Sequence, residues 1–258
     1  MQPVIGWDGM NLVGPDPMGG IELWTPPRIL DGGTAYVIGG GPSLRGFDFN
    51  LLAGRTVIGC NDAWTLGEQV CPYLLFGDES WWLMNRARVL SGYHGCIVSC
   101  APGLLRGNDP AVNVMLRIPD GLGVGNQLAW NYSTGAAAIN LAISMGAGRV
   151  YALGIDCGHG NDQPSHWHDL NTAEVTAYTR GRFITGFQAL AAALPPGVEV
   201  VRVVGAGSAP LGVFPEISID QFVEQHGNHR ENAPTTGDSL GARARIRRGG
   251  AARVSLAG

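Results

Sequence analysis

Two short apolar runs, each ended abruptly by glycine and polar residues, constrain the fold of this chain most strongly. Residues 35–38 (AYVI) lead into GGGPS at 39–43, and residues 57–58 (VI) lead into GCND at 59–62. Buried strands that finish in this way are typical of the carboxyl edge of a parallel α/β sheet, where open sheets bind ligands. Three successive glycines let a ligand approach the backbone, and N–H groups in such a turn hold phosphate oxygens. The motif predicts a nucleotide-binding sheet, with a tight turn that binds nothing as the alternative.

The same alternation of elements continues along the chain. Further apolar runs predict strands at residues 73–76, 96–99, 150–153 and 198–204. Ala-rich segments predict helices at 133–145, apolar nearly all round and hence buried, and at 172–194, where prolines stop it. Residues 102–131 read as a long Gly-rich loop with one strand at 114–118. Strands that alternate with helices indicate the α/β class with a mostly parallel sheet.

The glycine spacing separates this loop from two familiar phosphate-binding motifs. A dinucleotide fingerprint requires a third glycine where this chain has Leu44, although Asp62 stands about 20 residues on, where a ribose-binding acid would lie. A Walker loop requires a lysine, and all 17 basic residues here are arginine. Schiff-base and pyridoxal-phosphate lysine chemistry is excluded for the same reason.

Composition indicates a globular protein with a substantial core. The 258 residues suffice for one large α/β domain or two small ones, and 45% of them are hydrophobic. A net charge of −4 gives no overall attraction to nucleic acid. Five cysteines without a C-x-x-C pair predict reduced thiols. Because neither a signal peptide nor a long apolar stretch is visible, we expect a cytoplasmic protein with no membrane partner.

Both ends of the chain differ in composition from the predicted domain. Residues 1–32 are rich in Gly, Pro and Trp without periodicity, which predicts an N-terminal arm. Residues 231–258 form an Arg-rich C-terminal tail, whose arginines are Arg243, Arg245, Arg247, Arg248 and Arg253. Such a tail either contacts nucleic acid or an acidic partner, or is a solvated tail or an edge strand at residues 242–247, and the acidic domain favours the second pair.

Polar or small residues follow the predicted strands, and a parallel sheet brings these strand ends to one edge. The nucleotide-binding candidates at this edge are Gly39, Gly40, Gly41, Pro42, Ser43, Asn61, Asp62 and Asp78. Asn61 suits a base or ribose because its amide offers both donors and an acceptor. The start of the 133–145 helix offers a second cradle for anions at Thr134 and Gly135.

A histidine-rich segment follows the strand at 150–153. Asp156 ends that strand, and His166 and His168 lie two residues apart, so on an extended segment their side chains face the same side. Histidine is the side chain best suited to accept a hydroxyl proton near neutral pH. The catalytic candidates are therefore His166, His168 and Asp156, and a zinc site completed by Asp156 or Asp169 is the alternative.

Several segments together resemble a known family. They are VIGGGPSL with VIGCNDAW, then STGAAAINLAISMGAGRVYALGID, then SHWH and GAGSAPLGVFPEI, and they lie within residues 34–217. The set resembles the DUF115-like group, which includes the bacterial family 42 sialyltransferases and the archaeal-type 6-hydroxymethylpterin diphosphokinases. It is most similar to uncharacterised phage and prophage members with a GGGPSL, INDAW, D-x-x-WW and HWHGDHP pattern.

The resemblance implies a single Rossmann-like domain over residues 33–230, with helices on both faces of the sheet and a small lid at about 157–175. In the sialyltransferases, the glycine loop, the Asn after the second strand and a Ser/Thr-Gly helix start contact the cytidine nucleotide. The matching positions here are Gly39, Gly41, Pro42, Ser43, Asn61, Thr134 and Gly135. A lid histidine serves there as general base, and its counterpart by position is His166 or His168.

Two departures from the sialyltransferases keep other reactions open. Their lid places two tyrosines near the leaving phosphate, whereas this chain has no tyrosine between Asp156 and Tyr178. It also carries extra carboxylates at Asp62 and Asp78. Together with Asp156, these would hold Mg²⁺ for a reaction on a nucleoside triphosphate.

The sequence therefore favours a nucleotide-dependent transferase that moves a sugar from a CMP- or UDP-linked donor to an acceptor hydroxyl, with a histidine base and no required cofactor. The alternatives are a Mg²⁺-dependent diphosphokinase that uses ATP, and a non-catalytic nucleotide-binding phage accessory protein. Expected partners are the nucleotide-sugar or nucleoside triphosphate and an acceptor of unknown class. Nucleic acid at the arginine tail and self-association are further alternatives, and the expected location is the cytoplasm of a bacterial host or of a phage-infected cell.

Overall fold

The described residues of a computed structural model are 22–107, 109–157, 166–168, 170 and 176–227. They form an α/β domain in which eight parallel strands make one sheet, so the predicted fold class is confirmed. The strands of this sheet are β1 (Thr34–Ile38), β2 (Val57–Cys60), β3 (Tyr73–Phe76), β4 (Cys96–Ser99), β5 (Asn113–Val114), β8 (Arg149–Leu153), β9 (Glu199–Val204) and β10 (Glu216–Ser218). A separate two-stranded parallel sheet contains β6 (Leu116–Ile118) and β7 (Gln127–Ala129).

Five α-helices connect or flank these strands in the described part of the chain. They are α1 (Glu79–Gly92), α2 (Leu104–Gly107), α3 (Thr134–Ser144), α4 (Ala177–Ala192) and α5 (Ile219–Gly227). The helix expected at 133–145 is α3, and its residues 134–143 are buried, as expected of a helix that is apolar all round. The helix expected at 172–194 is observed as α4, and residues 172–175 lie outside the described ones.

The strand order of the large sheet is β10-β9-β8-β1-β2-β3-β4-β5. The chain starts in the middle at β1, adds strands on one side as far as β5, and then returns to the other side of β1 with β8. Strand order therefore reverses between β1 and β8. Ligands of open α/β sheets bind in the crevice outside the carboxyl ends of the strands at such a topological switch point.

Both faces of the sheet are buried, which explains why its strands are continuously apolar in sequence. Along β1, Ala35 and Val37 point into the core beneath α3 and α4, whereas Tyr36 and Ile38 point to the opposite face. That opposite face packs against Phe222 of α5. Burial on two faces holds the carboxyl ends of β1 and β8 in one register, in which Ile38 pairs with Leu153.

The region expected to be one long loop contains short elements instead. The single strand expected at 114–118 is divided at Met115, which is fully buried. The Met115 N–H still bonds to the Ser99 carbonyl of β4, while the Leu116 N–H bonds to the Asn126 carbonyl beside β7. The chain therefore leaves the large sheet at this residue and begins the small one.

The predicted arm and tail are described only in part. Residues 22–33 lie along the domain, where the Ile29 and Leu30 N–H groups bond to the Met145 carbonyl. Residues 1–21 of the arm and all of the tail at 231–258 lie outside the described residues. Of the lid predicted at 157–175, the structure describes residues 157, 166–168 and 170.

Candidate active site

A pocket of about 430 Å³ opens at the carboxyl ends of β1 and β8, at the switch point of the sheet. The pocket gathers all of the predicted site residues except Ser43. Those that line it are Gly39, Gly40, Gly41, Pro42, Asn61, Asp62, Asp78, Thr134, Gly135, Asp156, His166 and His168. Residues from six separate chain segments therefore meet in one cavity, of the size typical of a small-molecule site.

The glycine loop after β1 is held against the end of β8 by backbone hydrogen bonds. The Gly39 N–H donates to the Leu153 carbonyl and the Gly41 N–H to the Gly154 carbonyl, both at 2.8 Å. Side chains at this loop have no space. A Cβ on Gly41 would overlap the Asp156 carboxylate, and a Cβ on Gly40 would lie 2.7 Å from Cδ2 of His166. Glycine is required here because the loop passes directly beneath other site residues.

Asp156 joins the loops that follow three strands. Its carboxylate is 4% exposed and accepts hydrogen bonds from the Ser43 N–H at 2.8 Å, the Ser43 hydroxyl at 2.7 Å and the Ser208 hydroxyl at 2.6 Å. Ser43 thus serves the site by fixing the glycine loop, although it does not line the pocket. Charge-assisted hydrogen bonds of this kind occupy both carboxylate oxygens of Asp156 and make it a positioning residue.

Asn61 follows β2 in a strained conformation with φ of +50°. Its Oδ1 is buried and has no hydrogen-bond partner among the described residues. A buried acceptor without a partner costs free energy that a donor group on a ligand would recover. An exocyclic amine of a base or a ribose hydroxyl would provide such a donor.

Backbone strain is concentrated around the pocket. Among the described residues, five that are not glycine have positive φ, and three of them, Asn61, Tyr132 and Cys157, line the cavity. A fourth, Asn131, precedes Tyr132 and is held by side-chain bonds to both backbone groups of Gly121. A bulky residue such as Tyr132 at φ +57° is uncommon, and strain of this kind accumulates at ligand sites.

The strained turn at Asn131 and Tyr132 leads directly into the start of α3. Ser133 is the N-cap residue, but its side chain makes no capping hydrogen bond. The first N–H groups of α3 at Thr134 and Gly135 therefore lie at the pocket wall without the usual side-chain cap. A helix start of this kind favours an anion because of its free donors and its dipole.

The histidine segment is anchored to the glycine loop by Trp167. Its backbone N–H donates to the Gly40 carbonyl at 3.0 Å, and its indole N–H donates to the Gly39 carbonyl at 2.9 Å. The indole also packs on Phe49, with ring centroids 4.8 Å apart. Arg45 adds a bond to the His166 carbonyl at 3.2 Å. Trp167 thereby carries the histidines on either side of it over the pocket.

The two histidines stack on each other, with ring centroids 5.2 Å apart. Nε2 of His168 lies 3.9 Å from Oδ2 of Asp62, and both side chains are buried. Asp62 is itself oriented by the Trp81 indole N–H, which donates to Oδ1 at 3.3 Å. A carboxylate beside an imidazole stabilises the positive charge that the ring acquires when it accepts a proton. Of the two histidines, His168 is the one that lies beside the Asp62 carboxylate.

Asp78, Asp62 and Asp156 line one pocket but are not assembled as a metal site. Across the described residues, no three His, Cys, Asp or Glu side chains are grouped closely enough to hold a metal ion. Partial burial raises the pKa of Asp78, and the nearby Arg117 guanidinium opposes this shift. Arg117 itself stacks over Trp130 at 4.2 Å and donates to the carbonyls of Cys100 and Gly77.

The pocket thiols are unsuited to nucleophilic chemistry. The five cysteines are free, and two of them, Cys60 and Cys157, line the cavity. Burial raises the pKa of Cys60, and burial raises the pKa of Cys157 to about 11. Both groups are therefore neutral thiols near pH 7, and the thiolate is the reactive form.

Sequence reasoning missed the contribution of α4 and the turn before α3. Thr179, Arg182, Phe183 and Phe187 of α4 line the pocket, together with Tyr132 of the turn. Successive α4 residues of this set are three, one and four positions apart, which places them on one helix face. That spacing is visible in the sequence, but only the position of α4 relative to the sheet shows which face meets the site.

Comparison with protein-family models, with curated proteins and with solved structures finds no match to this chain. None of the helices in the described part of the chain is long and apolar enough to cross a membrane. A function for the pocket therefore has to be inferred from its own residues and their geometry.

Proposed function

We propose that this protein is a nucleotide-dependent transferase that moves a sugar from a CMP- or UDP-linked donor to an acceptor hydroxyl. One observation carries the proposal. Two phosphate-compatible backbone features, the Gly39–Gly41 loop and the start of α3, share a pocket with a carboxylate-backed histidine. The resemblance to the DUF115-like group also supports a transferase. We propose that the protein belongs to that group.

The donor nucleotide occupies the side of the pocket next to the sheet. The glycine loop and the α3 start offer N–H groups to phosphate oxygens. Asn61 offers its buried Oδ1 to a donor on the base or ribose. Asp156 and Ser43 do not touch the nucleotide in this scheme but hold the loop that does.

His168 accepts the proton of the acceptor hydroxyl. The acceptor oxygen forms a bond to the anomeric carbon while the bond from that carbon to the phosphate oxygen breaks, and the electron pair stays on the phosphate. Asp62 offsets the charge of the imidazolium that results, because its carboxylate lies 3.9 Å from Nε2. Trp167 carries both His166 and His168 into place through its bonds to the glycine loop.

A Mg²⁺-dependent diphosphokinase is the weaker proposal. It requires Asp62, Asp78 and Asp156 to share a cation, but both oxygens of Asp156 already accept hydrogen bonds from Ser43 and Ser208. Asp62 is likewise engaged by Trp81. The positions of these carboxylates favour roles in orientation over a joint metal site.

A thermal-shift screen tests the proposal at its first step. CMP, CDP, UDP, ADP and ATP are added with and without Mg²⁺. A nucleotide at 100 times its Kd stabilises the fold by about 2.7 kcal/mol, which is a clear rise in Tm. We expect CMP or UDP to raise Tm in the absence of metal. If no nucleotide raises Tm at saturating concentration, the protein is not a nucleotide-dependent transferase.

The histidine variants test the chemistry once a donor is found. His168→Ala is expected to lower kcat by about 10² to 10⁴, the usual contribution of a positioned base, and His166→Ala by less. His94→Ala is the matched control, because His94 is exposed and does not line the pocket. Full turnover in both His166→Ala and His168→Ala would show that the histidines are not the base.

A further inference from the structure

Arg182 is the one fixed positive charge among the described residues that line the pocket. It lies on the second turn of α4, between the lining residues Thr179 and Phe183. The pocket also contains Asp62, Asp78 and Asp156. Whether Arg182 is neutralised by one of these carboxylates decides whether the pocket has a cation available for a ligand.

Each pocket carboxylate is engaged elsewhere. Asp156 accepts from Ser43 and Ser208, Asp62 accepts from Trp81 and faces His168, and Asp78 is close to Arg117. In the part of the chain that the structure describes, no carboxylate forms an ion pair with Arg182 and no acceptor takes a hydrogen bond from it. The guanidinium charge of Arg182 is therefore unmatched by any described acid.

Aromatic rings hold Arg182 in place instead. Its guanidinium lies 4.4 Å from the ring centroid of Tyr132 and 5.8 Å from that of Tyr178. Stacking uses the flat face of the guanidinium and leaves the N–H donors at its edge for a second partner. Two N–H groups in a fixed fork match two oxygens of a phosphate.

Tyr132 also places this charge beside the uncapped start of α3, because Ser133 is the next residue. A second arginine of α4, Arg180, has its Nε buried without a hydrogen-bond partner among the described residues. A buried charged donor that lacks an acceptor is costly, so an anion within its reach would be stabilised. Arg180 does not line the pocket, so Arg182 and the start of α3 are the two anion-compatible features that meet at this part of the cavity.

We propose that Arg182 binds the sugar-linked phosphate of the donor nucleotide and stabilises it as it leaves. This assignment rests on the proposed transferase function. When the bond from the anomeric carbon to the phosphate oxygen breaks, the electron pair stays on that oxygen, and Arg182 offsets the charge that develops. The acceptor oxygen replaces the phosphate at carbon, and its proton passes to His168.

Calorimetric titration separates the phosphate contribution from the rest of the ligand. CMP, UDP, cytidine, uridine and inorganic pyrophosphate are titrated into the wild-type protein and into Arg182→Ala. We expect Arg182→Ala to weaken CMP or UDP binding by about 10- to 100-fold, as for a lost hydrogen bond to a charged group, while nucleoside affinity is unchanged. Arg182→Lys keeps the positive charge but loses the two-pronged guanidinium, so its affinity for CMP or UDP should lie between that of the wild type and that of Arg182→Ala.

Arg88→Ala is the matched control for these titrations. Arg88 is an exposed helix arginine on α1 that also stacks on an aromatic ring, at 5.7 Å from Trp64, but it does not line the pocket. Its removal should leave every affinity unchanged. Urea midpoints for all three variants establish that each one is folded before its affinities are compared.

The outcomes separate this assignment from the proposed function. If the wild type binds CMP or UDP and Arg182→Ala binds them equally well, the phosphate subsite is wrong and the transferase proposal stands. If the wild type binds only pyrophosphate, and Arg182→Ala does not, the anion subsite stands and the transferase proposal fails. If the wild type binds neither nucleotides nor pyrophosphate, both are wrong.

Discussion

The two sides of the pocket are built in different ways. On the sheet side, the Gly39–Gly41 loop is bonded to the end of β8 and to the buried Asp156. On the lid side, the described residues 166–168 are attached mainly through Trp167 and Arg45. The sheet side is continuous with β1 of the main sheet, whereas residues 166–168 of the lid side are docked onto it. Changes to the first should cost stability, and changes to the second should cost activity while the fold survives.

The largest effect should follow from Gly41→Ala. The new Cβ would overlap the Asp156 carboxylate and the Gly154 carbonyl, neither of which moves freely. We expect the free energy of unfolding to fall by about 3 kcal/mol, measured by urea denaturation. Gly181→Ala in α4 is the control, because a Cβ at this position meets no atom within 4 Å. This variant should stabilise the helix by about 0.5–1 kcal/mol, since alanine favours a helix more than glycine does. If Gly41→Ala were as stable as the wild type, the proposed difference in stability between the sheet side and the lid side of the pocket would be wrong.

Asp156→Asn should cause the next largest loss of stability. An amide keeps one acceptor oxygen but turns an NH₂ group toward the donors of Ser43 or Ser208. A loss of about 2 kcal/mol in unfolding free energy is expected, against about 1 kcal/mol for Ser208→Ala. A variant that keeps its full stability but loses a Mg²⁺-dependent activity would instead place Asp156 in the chemistry.

Trp167→Phe should affect the lid side alone. Phenylalanine retains the packing on Phe49 but loses the indole bond to the Gly39 carbonyl. The unfolding free energy should change by about 1 kcal/mol or less, while kcat falls about 10-fold because the histidines lose their position. Trp64→Phe is the matched control, because the Trp64 indole nitrogen is buried without a hydrogen-bond partner among the described residues and its removal breaks no such bond. Equal kcat in the two variants would contradict the anchoring role of Trp167.

The smallest effect concerns the charge at Asp78. Partial burial raises its pKa, so the ionised form destabilises the fold at neutral pH, and this cost is relieved as the pH falls through the raised value. Asp78→Asn should therefore increase the free energy of unfolding at neutral pH, with a gain that shrinks toward acid pH. Urea titrations at several pH values measure this difference.

Asp109→Asn should show the opposite sign. The hydrogen bond from Arg86 holds the pKa of Asp109 below its usual range, so its ionised form stabilises the fold at neutral pH. That contribution to stability is lost as the pH falls through the lowered pKa of Asp109. Asp109→Asn should therefore be less stable than the wild type only at pH values above this pKa. The same sign for Asp78→Asn and Asp109→Asn would show that burial does not control the Asp78 carboxyl.

Local signals in the sequence account for the elements that were predicted well. The strand at 96–99 depends on a short apolar run, and the buried helix α3 depends on a run of apolar residues that glycines end. Such patterns depend on side-chain periodicity and backbone freedom within a short stretch. Helix α1 was not predicted, because Trp81 and Trp82 are buried together while Leu83 and Met84 are exposed, which hides the usual periodicity.

The candidate site was predictable where it follows strand ends and unpredictable where distant segments meet. Placing Asp62 beside His168 requires residues 166–168 to lie over the end of β2. The pairing of Arg182 with Tyr132 requires α4 to lie next to the turn before α3. No local sequence pattern predicts these contacts, since they depend on how whole segments pack on the sheet.

The sequence by itself determined the α/β class, the glycine loop and the polar residues at the strand ends that line the pocket. Only the tertiary structure decided that β8 returns beside β1, which creates the switch point, and that Ser43 bonds to Asp156 across 113 residues of chain. The physical reason is one of range. Strand endings and helix caps follow from neighbouring residues, whereas strand order and long-range hydrogen bonds follow from burying both faces of one sheet at once.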